Sequence, residues 1–388
     1  MSKQPSNFDF VGRMGVFGFV SAGLVVLSLL AVAVLGINFG IDFAGGYEIQ
    51  VKFPKAVEEN EIRDALKDIA KDVRVQRFGS EAEHEYLLMV REHGTVNDSQ
   101  RAVLKERFET LAGGSEKLLS WSLAESGERL TANFSEPITE DQVRGILTNE
   151  GLTVKTIVRG DREDRPEYAV ELVSLASSIE NVLREKLSIG QEVELVDRVE
   201  FVGPQVGEQL RNQGLLAVLY ALGFILLYVG LRFDLLFSPG AVIALIHDII
   251  ITIGVFSVFQ FEFNLPIVAA ILALVGYSLN DTIVVYDRIR ENVGKHKGRD
   301  LRTLINASIN ETLSRTILTS GTTLLVVTAL LIFGGGIIRD FSIAMLVGIV
   351  VGTYSSIFVA APLYVFLREY FDTKEANVKK TTAVKAVG

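Results

Sequence analysis

Six apolar runs, at about residues 14–37, 214–231, 235–259, 265–286, 315–333 and 341–366, stand out from a chain of 388 residues whose other stretches are polar and charged. A helix rises 1.5 Å per residue, so each run is close to or above the length needed to cross a hydrocarbon core about 30 Å thick. Between the first run and the second lies a long segment, 39–213, with a different pattern. Period-two alternation there predicts strands at 47–53, 73–78, 85–90, 129–134, 153–158, 167–173 and 192–201. Amphipathic spacing predicts helices near 58–71, 97–111, 139–149 and 175–187.

The order of these elements occurs twice, and residues recur with it at an offset of 81 or 82. Phe53, Val57, Ile62, Arg63 and Leu66 match Phe134, Ile138, Val143, Arg144 and Leu147, and Arg77 and Tyr86 match Arg159 and Tyr168. Each copy, about 47–111 and 129–187, reads as β-α-β-β-α, and the strand at 192–201 leads back to the second span. The expected fold is thus a six-span α-helical membrane bundle carrying an α+β domain of duplicated ferredoxin-like units.

Composition separates the two parts further. Residues 39–213 hold 34 acidic and 22 basic side chains, net −12, while the remaining 213 residues are net +3, giving −9 overall. An acidic surface argues against nucleic acid as a partner, because phosphate binding needs a basic face. Cysteine is absent, which removes thiol nucleophiles and Cys-ligated zinc. The pattern contains no Gly-rich phosphate loop and no nucleophile triad, so the chain is expected not to be an enzyme and to need no cofactor. His84 and His93, with Glu81, Glu83, Glu85 and Glu92 nearby, fit no usual metal-ligand spacing and read as solvated surface.

Basic residues give the orientation, since short cytoplasmic segments are enriched in Lys and Arg. Lys3 and Arg13 precede the first span, Arg232 lies between the second and third, and Arg288, Arg290, Lys295, Lys297, Arg299 and Arg302 lie between the fourth and fifth. Arg368, Lys374, Lys379, Lys380 and Lys385 follow the last. Both termini, 1–13 and 367–388, are expected in the cytoplasm and segment 39–213 on the far side, which in a bacterium is the periplasm or cell exterior. Ala31-Val32-Ala33 mimics a signal-peptidase site, but the apolar run continues to Ile37 and reads as an uncleaved anchor, 14–38. The charged stretch 287–314 is expected to be a loop with a helix lying on the cytoplasmic surface.

Ionisable residues at membrane depth cost roughly 2.5–3.5 kcal/mol each even on the lenient insertion scale, so they need a partner, a cavity or a role. His247 and Asp248 in span three, Asp281 beside Asn280 in span four and Arg315 at the start of span five are such residues. The antiparallel run of spans four and five allows an Asp281–Arg315 pair. Burial and a nearby guanidinium act on a carboxylate in opposite senses, so protonation there would follow conformation. A static ion pair is the competing reading. In span six, Ala344, Gly348, Gly352, Ser356 and Ala360 form a small-residue seam that admits a close helix.

Together these residues resemble a known family, the SecF half of the SecD/SecF protein-export factors, themselves related to proton-driven RND transporters. The likeness rests on Gly40-Ile-Asp-Phe-Ala-Gly-Gly46, with Asp42 and Gly45 inside it, and on Val202-Gly-Pro-Gln-Val-Gly207, which holds Gly203 and Pro204. It rests also on His247-Asp248, on the run from Gly276 to Asn292, and on Leu313-Ser-Arg-Thr316. The resemblance implies a partner SecD subunit, association with the SecYEG channel, and use of the proton gradient to promote late steps of polypeptide export. It implies that Asp281 and Arg315 lie on the proton pathway with Asn280, and that the two glycine-rich motifs are hinges. His247 and Asp248, which belong to the family motifs, are expected with Asp281, Arg315 and Asn280 among the proton-pathway residues, and the likeness leaves their particular role open. It also implies a shorter outer domain with one ferredoxin-like unit, from which this chain departs. Two other readings suit the same residues: a scaffold for SecD and the channel that conducts nothing, and an RND-like exporter of lipids or small molecules.

Overall fold

The computed structural model of the chain describes residues 8–70, 73–78, 83–91, 96, 98–160, 165–191, 193–233, 236–296, 298–371 and 373–374. It divides into two units, one of residues 40–211 and one formed by the residues up to 39 together with those from 212 onward. The first apolar run is helix α1, Met14–Leu35, preceded by a 3-10 turn at Val11–Arg13 and ended by Gly36 at φ +72°.

The α+β unit begins with a single turn, α2 (Ile41–Ala44), and continues β1 (Gly46–Lys52), α3 (Glu59–Leu66), β2 (Val73–Phe78), β3 (Glu85–Val90), α4 (Asp98–Ala112) and β4 (Leu118–Leu123). The same order follows as β5 (Arg129–Phe134), α5 (Glu140–Asn149), β6 (Val154–Arg159), β7 (Glu167–Leu172), α6 (Leu175–Lys186) and β8 (Val196–Val202). Two antiparallel four-stranded sheets result, ordered β2-β3-β1-β8 and β4-β5-β7-β6. Strand β4 was not foreseen.

The sheet order shows that the two copies exchange their last helix and strand. β8 closes the first sheet and α6 packs Leu175, Ile179 and Leu183 into the first core, against Ile49, Ile62 and Leu88. β4 closes the second sheet and α4 packs Leu104 and Phe108 into the second core, against Phe134, Val143 and Val170. Neither half therefore completes its hydrophobic core from contiguous chain. The repeat also survives in polar detail. The Tyr86 hydroxyl donates to the Val57 carbonyl at 2.5 Å, and its match Tyr168 donates to the Ile138 carbonyl at 2.6 Å. Phe53 meets the Tyr86 ring edge-on with centroids 5.4 Å apart, and Phe134 meets Tyr168 likewise at 6.2 Å.

The bundle continues with α7 (Pro204–Arg232), α8 (Ser238–Phe259), α9 (Leu265–Lys295), α10 (Leu301–Phe333) and α11 (Gly336–Ser355). The last runs on through a π-helical turn, Ser356–Ala360, to Phe371. Pro204 and Pro239 stand at helix starts, where a missing N–H costs nothing. Six helices among the described residues are long and apolar enough to span a membrane. α8, α9 and α11 form the buried centre, and α1, α7 and α10 present most of their side chains outward.

The stretch 287–314 is not a separate surface helix. α9 runs on to Lys295 and α10 starts at Leu301, so the two spans extend as a helical hairpin beyond their apolar parts. Polar pairs hold that extension: Arg288 bonds Glu311, and Asn292 Nδ2 donates to Ser308 Oγ at 2.9 Å and to Glu311 Oε2 at 3.0 Å. The seam in α11 packs inside the chain. A Cβ added at Gly348 would lie 2.5 Å from Leu274, and one at Gly352 would lie 2.9 Å from the Ser278 Cβ. The start of the chain is tied to α10 by two asparagines one turn apart. Phe8 N donates to Asn310 Oδ1 at 2.9 Å and Phe10 N donates to Asn306 Oδ1 at 2.8 Å.

Candidate functional site

Two carboxylates sit in the centre of the bundle, held by His247 and by hydroxyl side chains that the sequence did not single out. Asp248 on α8 is 1% exposed. Its Oδ1 lies 2.9 Å from His247 Nδ1, and its Oδ2 accepts from Ser278 Oγ on α9 at 2.6 Å and from Ser355 Oγ on α11 at 2.8 Å. Gly352 keeps that corner open, since its Cβ would stand 3.4 Å from Oδ2. Three central helices thus converge on one buried acid.

Asp281, 33 residues further on and 2% exposed, is held more sparsely. Its Oδ2 accepts from Ser320 Oγ on α10 at 3.2 Å, and Ser320 Oγ lies 2.7 Å from Thr353 Oγ1 on α11. Arg315, on α10 and exposed, is close enough for its charge to be felt at Asp281. Among the described residues no ion pair within 4.0 Å joins them, so the pair allowed by the sequence is open in this conformation. Asn280 is exposed. The Ser278–Asp248 bond and the Asp281–Ser320 bond leave α9 one turn apart. On α11 the hydroxyls that complete the two sets, Thr353 and Ser355, are two residues apart. α11 therefore touches both acids, directly at Asp248 and through Ser320 at Asp281.

The serines and threonines of these spans carry little signal in sequence, because hydroxyls in apolar helices commonly bond their own backbone four residues back. Thr319 and Thr322 do so, to the carbonyls of Arg315 and Leu318. Only the crossing of helices separates these from Ser320 and Thr353.

The two glycine-rich motifs come together within the α+β unit. Gly40 caps α2, and Gly45 and Gly46 take φ of +78° and +131°. A Cβ at Gly46 would lie 2.3 Å from the Val90 carbonyl oxygen, and one at Gly45 would meet Pro204 at 3.2 Å. A Cβ at Gly207 would press on the Phe43 carbonyl at 3.1 Å, and one at Gly203 would overlap the Glu125 side chain. Gly46 also pairs with Val202 in the β1–β8 ladder. Glu48 in β1 faces Glu200 across that ladder. Burial, and after it Glu200 and Asp42, push its carboxyl above the ordinary range, with Arg198 opposing.

Among the described residues, no group of three His, Asp or Glu is placed to hold a metal ion. His84 is half-buried at φ +53°, and His93, Glu81 and Glu92 lie outside the described residues.

Residues 183–370 match the family model of the protein export membrane protein SecD/SecF C-terminal region, and residues 30–57 match the SecD/SecF GG motif. The protein translocase subunit SecF of Desulfurispirillum indicum is 40% identical over 367 residues, covering 93% of this chain and 91% of that one. The chain belongs to the SecF family. SecF of Koribacter versatilis is 36% identical over 382 residues, covering 94% of this chain and 93% of its own length. SecF of Vibrio alginolyticus reaches 47% over 256 residues, covering 64% and 80%. Two solved structures are similar. SecDF from Thermus thermophilus, described as a translocon-associated membrane protein, has a TM-score of 0.61 at 31% identity, covering 94% of this chain. SecDF in a super-membrane-facing form has 0.57 at 32%, covering 97%. This SecF spans 39% and 41% of those longer chains.

Proposed function

We propose that this SecF works with a SecD subunit and the SecYEG channel in the bacterial inner membrane, where the proton gradient drives late steps of polypeptide export. It acts as a transport subunit rather than an enzyme, with Asp281 as the group that takes and gives the proton and Arg315 as its counter-charge. The observation that carries this reading is the attachment of Asp281: a carboxylate at membrane depth, held by one hydroxyl and faced by a guanidinium that has not closed on it.

The energetics are sufficient. One proton falling through about 150 mV delivers roughly 3.5 kcal/mol, which tips a helix arrangement whose two states differ by a few kcal/mol. α11 is the element placed to respond, because Ser320 and Thr353 link it to Asp281 while Ser355 holds it to Asp248. Both termini and the α9–α10 hairpin then lie in the cytoplasm, and the α+β domain lies in the periplasm, where it meets the emerging polypeptide. Gly45, Gly46, Gly203, Pro204 and Gly207 form the hinge at the domain's base, with glycine required at the two positive-φ positions.

The test is export through SecYEG in vesicles holding the SecD–SecF complex, with and without an imposed gradient. Asp281→Asn is expected to abolish the gradient-dependent part of export while the complex stays intact and gradient-independent export is unchanged. Full gradient stimulation in an intact Asp281→Asn complex would leave the scaffold reading in place.

A further inference from the structure

A groove of about 440 Å³ runs between α1, α8 and the end of the α11 helix, and it is separate from the Asp281 site. Its walls are almost wholly apolar, and its rim is open: Ala22 is exposed, Ile246 is 39% exposed and Phe366 is 64% exposed. Because the groove lies within membrane-spanning helices, its open side faces lipid or another protein.

Two observations bear on the occupant. The first is His247. Nδ1 is engaged with Asp248, and the rest of the ring lines the groove. The side chain is 5% exposed, and Nε2 has no hydrogen-bond partner among the described residues. Whether Nδ1 donates to Oδ1 or accepts from it, Nε2 is left as a buried polar nitrogen without a partner. A buried polar atom without a partner is costly, more so where no water reaches. The second is α1. Gly18 and Ala22 line the groove at a four-residue spacing, and a Cβ added at Gly18 meets nothing within 4 Å. Among the described residues no packing requires glycine there, in contrast to Gly254, where an added Cβ would strike Ser28.

Depth decides between lipid, water and protein. His247 is nine residues from the start of the 22-residue α8, near the middle of the span. Lipid headgroups and esters lie at the bilayer surfaces, and acyl chains carry no hydrogen-bonding group. A water needs two to four polar partners, and the only other polar side chain on these walls among the described residues, Ser21, already donates its Oγ hydrogen to Tyr354. A transmembrane helix can present a polar side chain at any depth, and small residues let it approach.

We infer that the groove between α1, α8 and the end of α11 is a docking site for a transmembrane helix from outside this chain, with a mid-span Ser, Thr, Asn, Gln or Tyr that hydrogen-bonds His247 Nε2. The small stripe at Gly18 and Ala22 sets the closeness of approach, and His247 sets the register. The inference does not depend on proton coupling through Asp281, because it concerns a different face of the bundle.

The test places a photoreactive side chain at Ala22 or Ile246 in the full chain, in its own membrane with its native partners. The expected product is a covalent adduct with a membrane polypeptide, mapped by mass spectrometry to the middle of one of its spans, within a turn of a Ser, Thr, Asn, Gln or Tyr. Gly18→Leu should abolish the adduct, and His247→Phe should lower its yield about three- to fivefold, with the chain still folded and inserted. Adducts to lipid alone, no adduct, a mapped span without such a residue, or a yield indifferent to Gly18→Leu would each overturn the proposal.

Discussion

Asp248 and Asp281 are alike in burial and unlike in attachment. Asp248 is met by an imidazole and two hydroxyls from three helices, with both oxygens in use. Asp281 has one hydroxyl at 3.2 Å and an open arginine. The α+β domain offers a reference for the fastened case: Tyr86 and Tyr168, both buried, each donate to a backbone carbonyl at the same place in the repeat, and Tyr86 also accepts from the Val57 N–H at 3.4 Å. Such groups fix geometry. The difference teaches that burial alone does not mark the working acid; unspent bonding capacity in a buried site does.

The largest effect should come from Asp248. Asp248→Leu strands the Ser278 hydroxyl and His247 Nδ1 and takes from the Ser355 hydroxyl the shorter of its two bonds, at about 1–3 kcal/mol each. Thermal unfolding of the purified SecF in detergent should show a loss of about 3 kcal/mol or more, against about 1 kcal/mol for Asp281→Leu. Equal losses would erase the contrast between the two acids.

Next come the repeated tyrosines. Tyr86→Phe and Tyr168→Phe each leave one buried carbonyl, Val57 or Ile138, without its donor, and each should cost about 1–2 kcal/mol. A large cost at one and none at the other would show that the two halves do not share the fastener.

A smaller, pH-dependent effect belongs to Glu48, the acid crowded by Glu200 and Asp42. Its pKa is raised on folding, so the folded state holds the proton more tightly than the unfolded one. Stability is therefore lost as pH rises from the ordinary value of 4.5 through the folded-state value, is fully lost above it, and is unaffected below 4.5. Glu48→Gln should raise the melting temperature of the α+β domain by about 1–3 °C at neutral pH, with the gain vanishing below pH 4.5. A gain unchanged by acid would place its origin elsewhere.

Much of this was legible in the chain. Apolar runs marked the spans, and the 81–82-residue offset located matched residues that turn out to make matched bonds. What stayed hidden has identifiable causes. β4 lacks strict alternation, with Leu119 52% exposed on an edge strand, so Leu118–Leu123 gave no period-two signal. The exchange of α4 and α6 was invisible because repeats in sequence do not say which core a helix enters. Arg288, Glu291 and Lys295 ended the hydropathy signal of span four without ending its helix, since charges pair along a helical hairpin as well as in a loop. For the candidate site the acids were legible and their hydroxyl partners were not, because Ser320 and Thr353 look in sequence like Thr319 and Thr322.

The central claim, that Asp281 and not Asp248 exchanges the proton, is tested most directly by gradient-driven proton uptake into vesicles containing the SecD–SecF complex. Uptake should fall to the level of protein-free vesicles with Asp281→Asn, whose complex remains assembled and melts within about 1 kcal/mol of the unaltered one. Uptake at the unaltered rate in assembled Asp281→Asn complexes would contradict the account.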